Sequence, residues 1–362
     1  MINQTVEDVE KQFLRRRIND IEKEVRTAIS GRPCQYCNEP VSLCKSHSVP
    51  RSFLANISEN GHVRTFNSMT EVIGIDTEDG VGKAGTFKMI CGKCDGTIFH
   101  TYENEENYDR SPPSQRILAE IAMKNYLKLI YKRLLEQERQ KRIKQHGYLY
   151  YMEEVHDFDI YSYDLQWYTS HFEITKARAK EEQEGTANYE IVYYKKLDYI
   201  ISLASQTDIV LQFDFKGNVV CDVYCGDTSY EIWELHLCVF PFKDSSIVLL
   251  FIDKEGINQY QTFINQFNTY SDSDKLAIIN YLLFLYSENI FLSKDIPDDI
   301  IHSSELQRVA GIGVYDILQI SSLNRLKKHS EIIRDNRVKY NLKKFNEIPN
   351  LLSEKYKIKE KN

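Results

Sequence analysis

Two Cys-x-x-Cys knuckles bracket a single Ser-His-x-x-Pro in the first third of this chain. They are Cys34-Gln-Tyr-Cys37 and Cys91-Gly-Lys-Cys94, with Ser46-His47-Ser48-Val49-Pro50 between them. One such pair is common. Two pairs supply the four soft thiolates that a tetrahedral structural zinc ion takes. The pairs are far apart in sequence, so the metal would close a loop that a Gly-rich segment cannot close by packing alone, and binding would contribute directly to folding. Disulfides are the competing reading, disfavoured in a reducing compartment. His47 is a candidate of another kind. An imidazole titrates near neutral pH and can serve as a general base. A packed structural histidine is the plainer reading of the same residue.

Of the eight cysteines, Cys44 lies between the knuckles, and Cys221, Cys225 and Cys238 lie far downstream. No partner at ligand spacing accompanies the last three, which read as small buried core residues.

Those residues need elements to hold them. Apolar residues from Val6 to Ile29, mostly three or four apart, predict a helix over 3–29 that stops at Gly31-Arg-Pro33. The knuckle region, 32–110, carries strand-like pieces such as His62-Val-Arg-Thr-Phe66 and Gly85-Thr-Phe-Lys-Met-Ile90. Ser111-Pro-Pro113 opens a second helix, 114–145. Its charged end, 136–144, is expected to reach into solvent or onto a partner, which makes 111–146 a connector. Residues 147–256 change character. Tyr189-Glu-Ile-Val-Tyr-Tyr194, Asp208-Ile-Val-Leu-Gln-Phe213, Ile232-Trp-Glu-Leu-His-Leu237 and Ser246-Ile-Val-Leu-Leu-Phe-Ile252 read as strands of a mostly antiparallel sheet, with a turn at Lys216-Gly217-Asn218. A short helix is expected over 195–205, and helices return from Gln259, one of them at 274–286. The fold class is therefore α+β: an N-terminal helix (1–31), a zinc module (32–110), the connector, an α+β domain (147–320) and a basic helical tail (321–362).

The composition is that of an ordinary globular protein, with 42% hydrophobic and 27% charged residues. No apolar run reaches membrane-spanning length, so no membrane partner is expected. The N-terminal stretch has no apolar signal core, which gives a cytoplasmic expectation. The net charge of −7 is unevenly spread. Residues 322–362 hold 12 Lys and Arg against 5 Asp and Glu, so the basic end could contact phosphates or simply be a solvated helical face.

The residue order resembles the zinc-containing HNH endonucleases of the ββα-metal (His-Me finger) superfamily, over about residues 32–105 only. Cys34/Cys37, His47/Pro50, Cys91/Cys94 and Asp95 follow that family's order. The resemblance implies a treble-clef-like ββα module with a structural Zn²⁺ on the four cysteines. It makes His47 the base that deprotonates an attacking water. Asp95 becomes the ligand of a catalytic Mg²⁺ or Mn²⁺, with Glu103, on the same helix, as a substitute ligand. Ser46 stands where the family carries an acidic ligand, and Thr86 where it carries the asparagine that orients the histidine. The implied function is endonucleolytic hydrolysis of nucleic acid, DNA ahead of RNA, in a bacterial phage-defence or restriction setting. A protein partner would be met through the C-terminal region. The alternative is a non-catalytic zinc module that binds nucleic acid or protein.

Overall fold

The computed structural model describes residues 20–67, 74–109, 112–145, 160–180, 187–225, 227, 229–320 and 329–359. A helix over 20–30 (α1) ends at Gly31, as its periodicity predicts; the rest of that expected helix lies outside the described residues. The knuckle region contributes β1 (Ser46–His47), α2 (Arg51–Ile57), β2 (His62–Asn67), β3 (Gly74–Gly80), β4 (Thr86–Phe87) and α3 (Gly92–Ile98). Two long helices follow, α4 (Gln115–Gln145) and α5 (Ile160–Lys180). Next come β5 (Tyr189–Leu197), β6 (Leu203–Ile209), β7 (Leu235–Pro241), β8 (Ser246–Asp253), α6 (Ile257–Phe267), α7 (Asp272–Tyr286) and β9 (Ile290–Leu292). The C-terminal helices are α8 (Asp298–Ile301), α9 (Ser304–Ile320) and α10 (His329–Lys339).

The fold is α+β. A seven-stranded sheet runs in the order β3-β2-β9-β6-β7-β8-β5, and each of its described pairings is antiparallel. It takes strands from both the knuckle region and the downstream region, because β2 pairs with β9 through Arg64–Leu292 and Thr65–Phe291. Side chains alternate across a strand, and here both faces are covered. Leu235, Leu237, Val239, Val248, Leu250 and Ile252 pack toward α6, α7 and α9. Cys238, Phe240, Ile247, Leu249 and Phe251 pack toward α2, α4 and the knuckles. β7 and β8 are buried along their whole length, which is why they read as continuous apolar runs rather than alternating ones.

Four expectations change. The segment 195–205 is not a helix: it closes β5 and opens β6, since Leu197, Ile201 and Leu203 each find the sheet core. α5 is a helix within 147–256, where the only helix expected was 195–205. Its Trp167 and Tyr168 pack beside α4 and the sheet rather than in a strand. The charged end of α4 does not run free. Arg139 and Arg142 pair with Glu22 and Glu24 of α1 at 2.5 and 3.1 Å, and Arg133 pairs with Asp164 of α5 at 2.7 Å. The described part of the basic segment is docked, not a tail: Tyr340, Leu342, Phe345, Ile348, Leu351 and Leu352 are buried in the core. Asn280 of α7 clamps it, donating to Pro349 O at 3.0 Å and accepting from Leu351 N at 3.1 Å. Residues 321–328 lie outside the described residues.

Candidate functional site

Each knuckle is shaped by its own backbone. Cys34 N–H donates to Glu39 O at 3.0 Å and Asn38 N–H to Cys34 O at 2.8 Å. The reversal needs Asn38 at φ 60°, a left-handed conformation that asparagine tolerates better than most residues. Cys91 caps α3 and Cys94 lies in its first turn. The knuckles are tied by Gln35 N–H to Met89 O and Cys44 N–H to Ile90 O, both at 2.9 Å, and by Cys91 N–H to Cys34 Sγ at 3.3 Å.

The four sulfurs consequently lie within 4.8 Å of one another. A zinc tetrahedron with Zn–S of about 2.3 Å has edges of about 3.8 Å, so a small contraction closes the shell. Cys34, Cys91 and Cys94 are buried and Cys37 faces solvent. The thiols are pushed apart in acidity. Burial raises Cys34, but N–H donors from Cys37, Cys91 and Tyr36 outweigh it and bring that thiol down to about 7. Burial, then the neighbouring sulfurs, drive Cys94 well up. The cluster can bind a metal ion such as zinc. Cys221 and Cys238 are buried core residues as expected, whereas Cys225 is exposed.

Between the knuckles β1 and β4 meet as a long-looped hairpin, with α2, β2 and β3 inserted between its two strands. β1 pairs with β4 in the register Ser46–Phe87 and His47–Thr86, and α3 comes next, completing a ββα arrangement. His47 is half-buried and its Nε2 lies 2.9 Å from Val81 O. A carbonyl only accepts, so Nε2 carries the hydrogen and the neutral ring keeps its lone pair on Nδ1. Burial first, then the positive charges of Lys124 and Arg51, hold the imidazole below its ordinary pKa; the Val81 carbonyl works the other way. Thr86 faces His47 in register but its hydroxyl donates to Lys83 O at 2.9 Å, so Val81 does the orienting.

Ser46 and Asp95 meet over an unexpected third residue. Ser46 Oγ donates to Asp95 Oδ1 at 2.6 Å. Lys124, from the N-terminal third of α4 and only 1% exposed, places Nζ 2.8 Å from the same carboxylate oxygen and 2.9 Å from Ser46 Oγ. The ammonium also lies 3.7 Å from Glu103 Oε1 and 3.7 Å from the Phe99 ring centre. Glu103 is not on the helix that carries Asp95, because α3 ends at Ile98. The chain leaves the helix where buried Glu120 accepts Tyr102 N–H at 2.9 Å. Burial first raises Glu103; Lys124 lowers it and Asp95 raises it. His100 is exposed.

The donor set does not fit a catalytic Mg²⁺ or Mn²⁺. Such an ion wants several anionic or neutral oxygens, yet one candidate position is a serine and the Asp95 oxygen beside it is already held by a buried ammonium. Sequence reasoning missed Lys124. The signal was present as a gap: Ile117 and Ile121 set a buried stripe on α4, and the next positions on that stripe are Lys124 and Asn125, both buried.

A second polar cluster fills the space between α4, α5 and the sheet. Glu234 accepts from Tyr126 OH at 2.9 Å and Trp167 Nε1 at 3.2 Å. His236 Nδ1 lies 3.2 Å from Asn125 Nδ2, and His171 packs against Trp167 and Trp233. Among the described residues, no helix is long and apolar enough to cross a membrane. No protein-family model, no curated protein and no solved structure matches this chain.

Proposed function

We propose that the chain is an HNH-like phosphodiesterase acting on nucleic acid, with a structural zinc ion on Cys34, Cys37, Cys91 and Cys94 and with His47 as the general base. The observation that carries this reading is the state of His47. Its Nε2–H is committed to Val81 O, leaving Nδ1 as the basic atom, and burial favours the neutral ring. A neutral imidazole in a fixed orientation is what general-base hydrolysis requires. Nδ1 takes a proton from water as the water oxygen bonds to phosphorus. The bond to the leaving oxygen breaks, and that oxygen takes a proton from solvent. Arg51, exposed at the start of α2 and near enough to act on His47 electrostatically, supplies positive charge for the phosphate. Zinc stays in the knuckles and orders the hairpin against α3.

The test is cleavage of plasmid DNA and of structured RNA by zinc-loaded protein, beside His47→Ala with matched zinc content. Cleavage that disappears in the variant supports the reading and identifies the substrate. Equal cleavage by both proteins would remove His47 from the chemistry.

A second reading has an observation of its own. Lys124 neutralises Asp95, which suits a zinc module that binds nucleic acid without cutting it. Such a binder would show salt-dependent affinity that is unchanged by His47→Ala, and no turnover by either protein.

A further inference from the structure

We propose that Lys124 is the resident cation of this site and that its ammonium takes the place a divalent metal ion would need between Ser46, Asp95 and Glu103. The inference deepens the hydrolase reading and rests on it for the catalytic part.

The geometry is that of a built cation site. Nζ lies 2.8 Å from Asp95 Oδ1, 2.9 Å from Ser46 Oγ and 3.7 Å from Glu103 Oε1, with the Phe99 ring 3.7 Å away on another side. An ammonium has three donors and no acceptor, and oxygen partners with an aromatic face satisfy a buried one well. Ser46 completes the arrangement, because its hydroxyl donates to Asp95 while its oxygen accepts from Lys124. An aspartate at that position would add a further negative charge beside Asp95 and Glu103 and favour a dication. A serine adds no charge, and Asp95, the carboxylate in direct contact at 2.8 Å, is paired by a monovalent cation.

Position explains why the lysine stays. Lys124 rises from α4, whose flanking Ala122, Met123 and Leu127 are buried in the knuckle core. The side chain is therefore anchored by a helix that cannot withdraw without opening that core. Moving the ammonium into water would leave Asp95 and Glu103, 24% and 38% exposed, facing each other without a counter-charge. A phosphate approaching His47 would then meet uncompensated carboxylates. With Lys124 in place that repulsion is removed and no exchangeable metal is required. Lys124 is a positioning residue in this scheme: it acts through Asp95 and does not touch the phosphate.

The experiment is a Mn²⁺ titration of the zinc-loaded full chain in resin-treated buffer, read by electron paramagnetic resonance, for wild type, Asp95→Asn and Lys124→Met. Strong chelators are avoided because they would strip the knuckles. Wild type and Asp95→Asn are expected to give superimposable titrations, since no Mn²⁺ goes to Asp95. A folded Lys124→Met protein is expected to gain a Mn²⁺ site that adding Asp95→Asn removes. If wild type binds Mn²⁺ and Asp95→Asn weakens that binding about tenfold or more, the inference is overturned, and that comparison stands even if Lys124→Met does not fold. Where cleavage is detected, a rate unchanged on adding Mg²⁺ supports Lys124 as the substitute, and dependence on Mg²⁺ overturns it. Absence of any cleavage would sink the hydrolase reading alone, because the titration reports on the lysine independently.

Discussion

Ser48 Oγ donates to Asn289 Oδ1 at 2.9 Å, joining the residue beside His47 to one 241 positions away. Asn289 in turn donates to Gln206 O at 2.6 Å and accepts from Ser205 Oγ at 2.9 Å. All four residues are buried. The hairpin that presents His47 is thus anchored to the end of α7, to β9 and to β6. The orientation of the histidine depends on the large sheet as well as on the four cysteines.

Gly85 is where that anchoring is most sensitive. Its φ is +63°, and a Cβ there would lie 2.5 Å from Ser48 Oγ and 2.6 Å from Phe291 Cζ. Gly85→Ala combines a left-handed backbone cost with a clash, on the order of 3 kcal/mol in all. Gly217, at φ +80° with nothing within 4 Å, is the control and should lose only about 1–2 kcal/mol. Urea denaturation of the two alanine variants checks this; equal losses would mean that the contact with Ser48 and Phe291 is not tight.

Zinc should be present at one ion per chain and should vanish in Cys91→Ser and Cys94→Ser, as measured by inductively coupled plasma mass spectrometry. Chelation should lower the thermal midpoint, with recovery on adding Zn²⁺ but not Mg²⁺, because soft thiolates do not hold a hard cation. A zinc-free protein with an unchanged midpoint would show that the packing of Phe53, Phe99 and Tyr102 alone holds the hairpin on α4.

Much of the scaffold was legible because it is written in local periodicity. α4 and α7 follow their apolar spacing closely, and the β2 and β8 segments were read nearly at their observed bounds. The Lys216-Gly217-Asn218 turn is where expected, with Asp214 Oδ1 accepting from Lys216 N at 2.8 Å and Asn218 N at 2.9 Å. The knuckles and the hairpin histidine were legible from residue type. What escaped was set by distant contacts. α5 carries aromatic residues that favour strands in isolation, and its helix packs on α4 through Tyr168 and Tyr126. β9 is three residues long and owes its place to pairing with β2 and β6. Lys124 lies 29 positions from the Asp95 it pairs with, beyond any local pattern.

The Lys124–Asp95 pair should be measurable as a coupling. Lys124→Met strands a carboxylate, and Asp95→Asn strands a buried ammonium. Breaking a fully buried pair from one side costs about 3–5 kcal/mol, and the partial exposure of Asp95 reduces this to about 2–3 kcal/mol. The double variant should be more stable than either single one, because it leaves neither charge alone. A double-mutant cycle in urea decides the matter, and simple additivity of the two losses would mean that the charges do not interact.

The buried carboxyl of Glu234 predicts how stability changes with pH. It is 3% exposed, and burial, reinforced by Asp208, pushes it up to about 8 despite the Tyr126 and Trp167 donors. The folded protein therefore holds a proton that the unfolded chain has released above about 4.5. Stability contributed by this group is full below that value and falls as pH rises toward 8, by up to about 1.4 kcal/mol per unit. His236 acts in the opposite sense. Burial, and next the charge of His171, lower it from 6.5 to about 3, so its contribution is lost as pH falls below 6.5. The two slopes oppose each other on the acid side; between pH 6.5 and 8 the lowered Cys34 and Lys128 also act against the Glu234 slope, but equally in wild type and Glu234→Gln, so the difference between the two proteins isolates Glu234. Glu234→Gln keeps the shape and can turn its carbonyl to Trp167 Nε1 and its amide to the Tyr126 oxygen, which can accept. Denaturation across pH 6.5 to 8 should show wild type losing stability more steeply than Glu234→Gln. Parallel curves would mean that Glu234 is ionised in the folded protein, held by its two donors against the cost of burial.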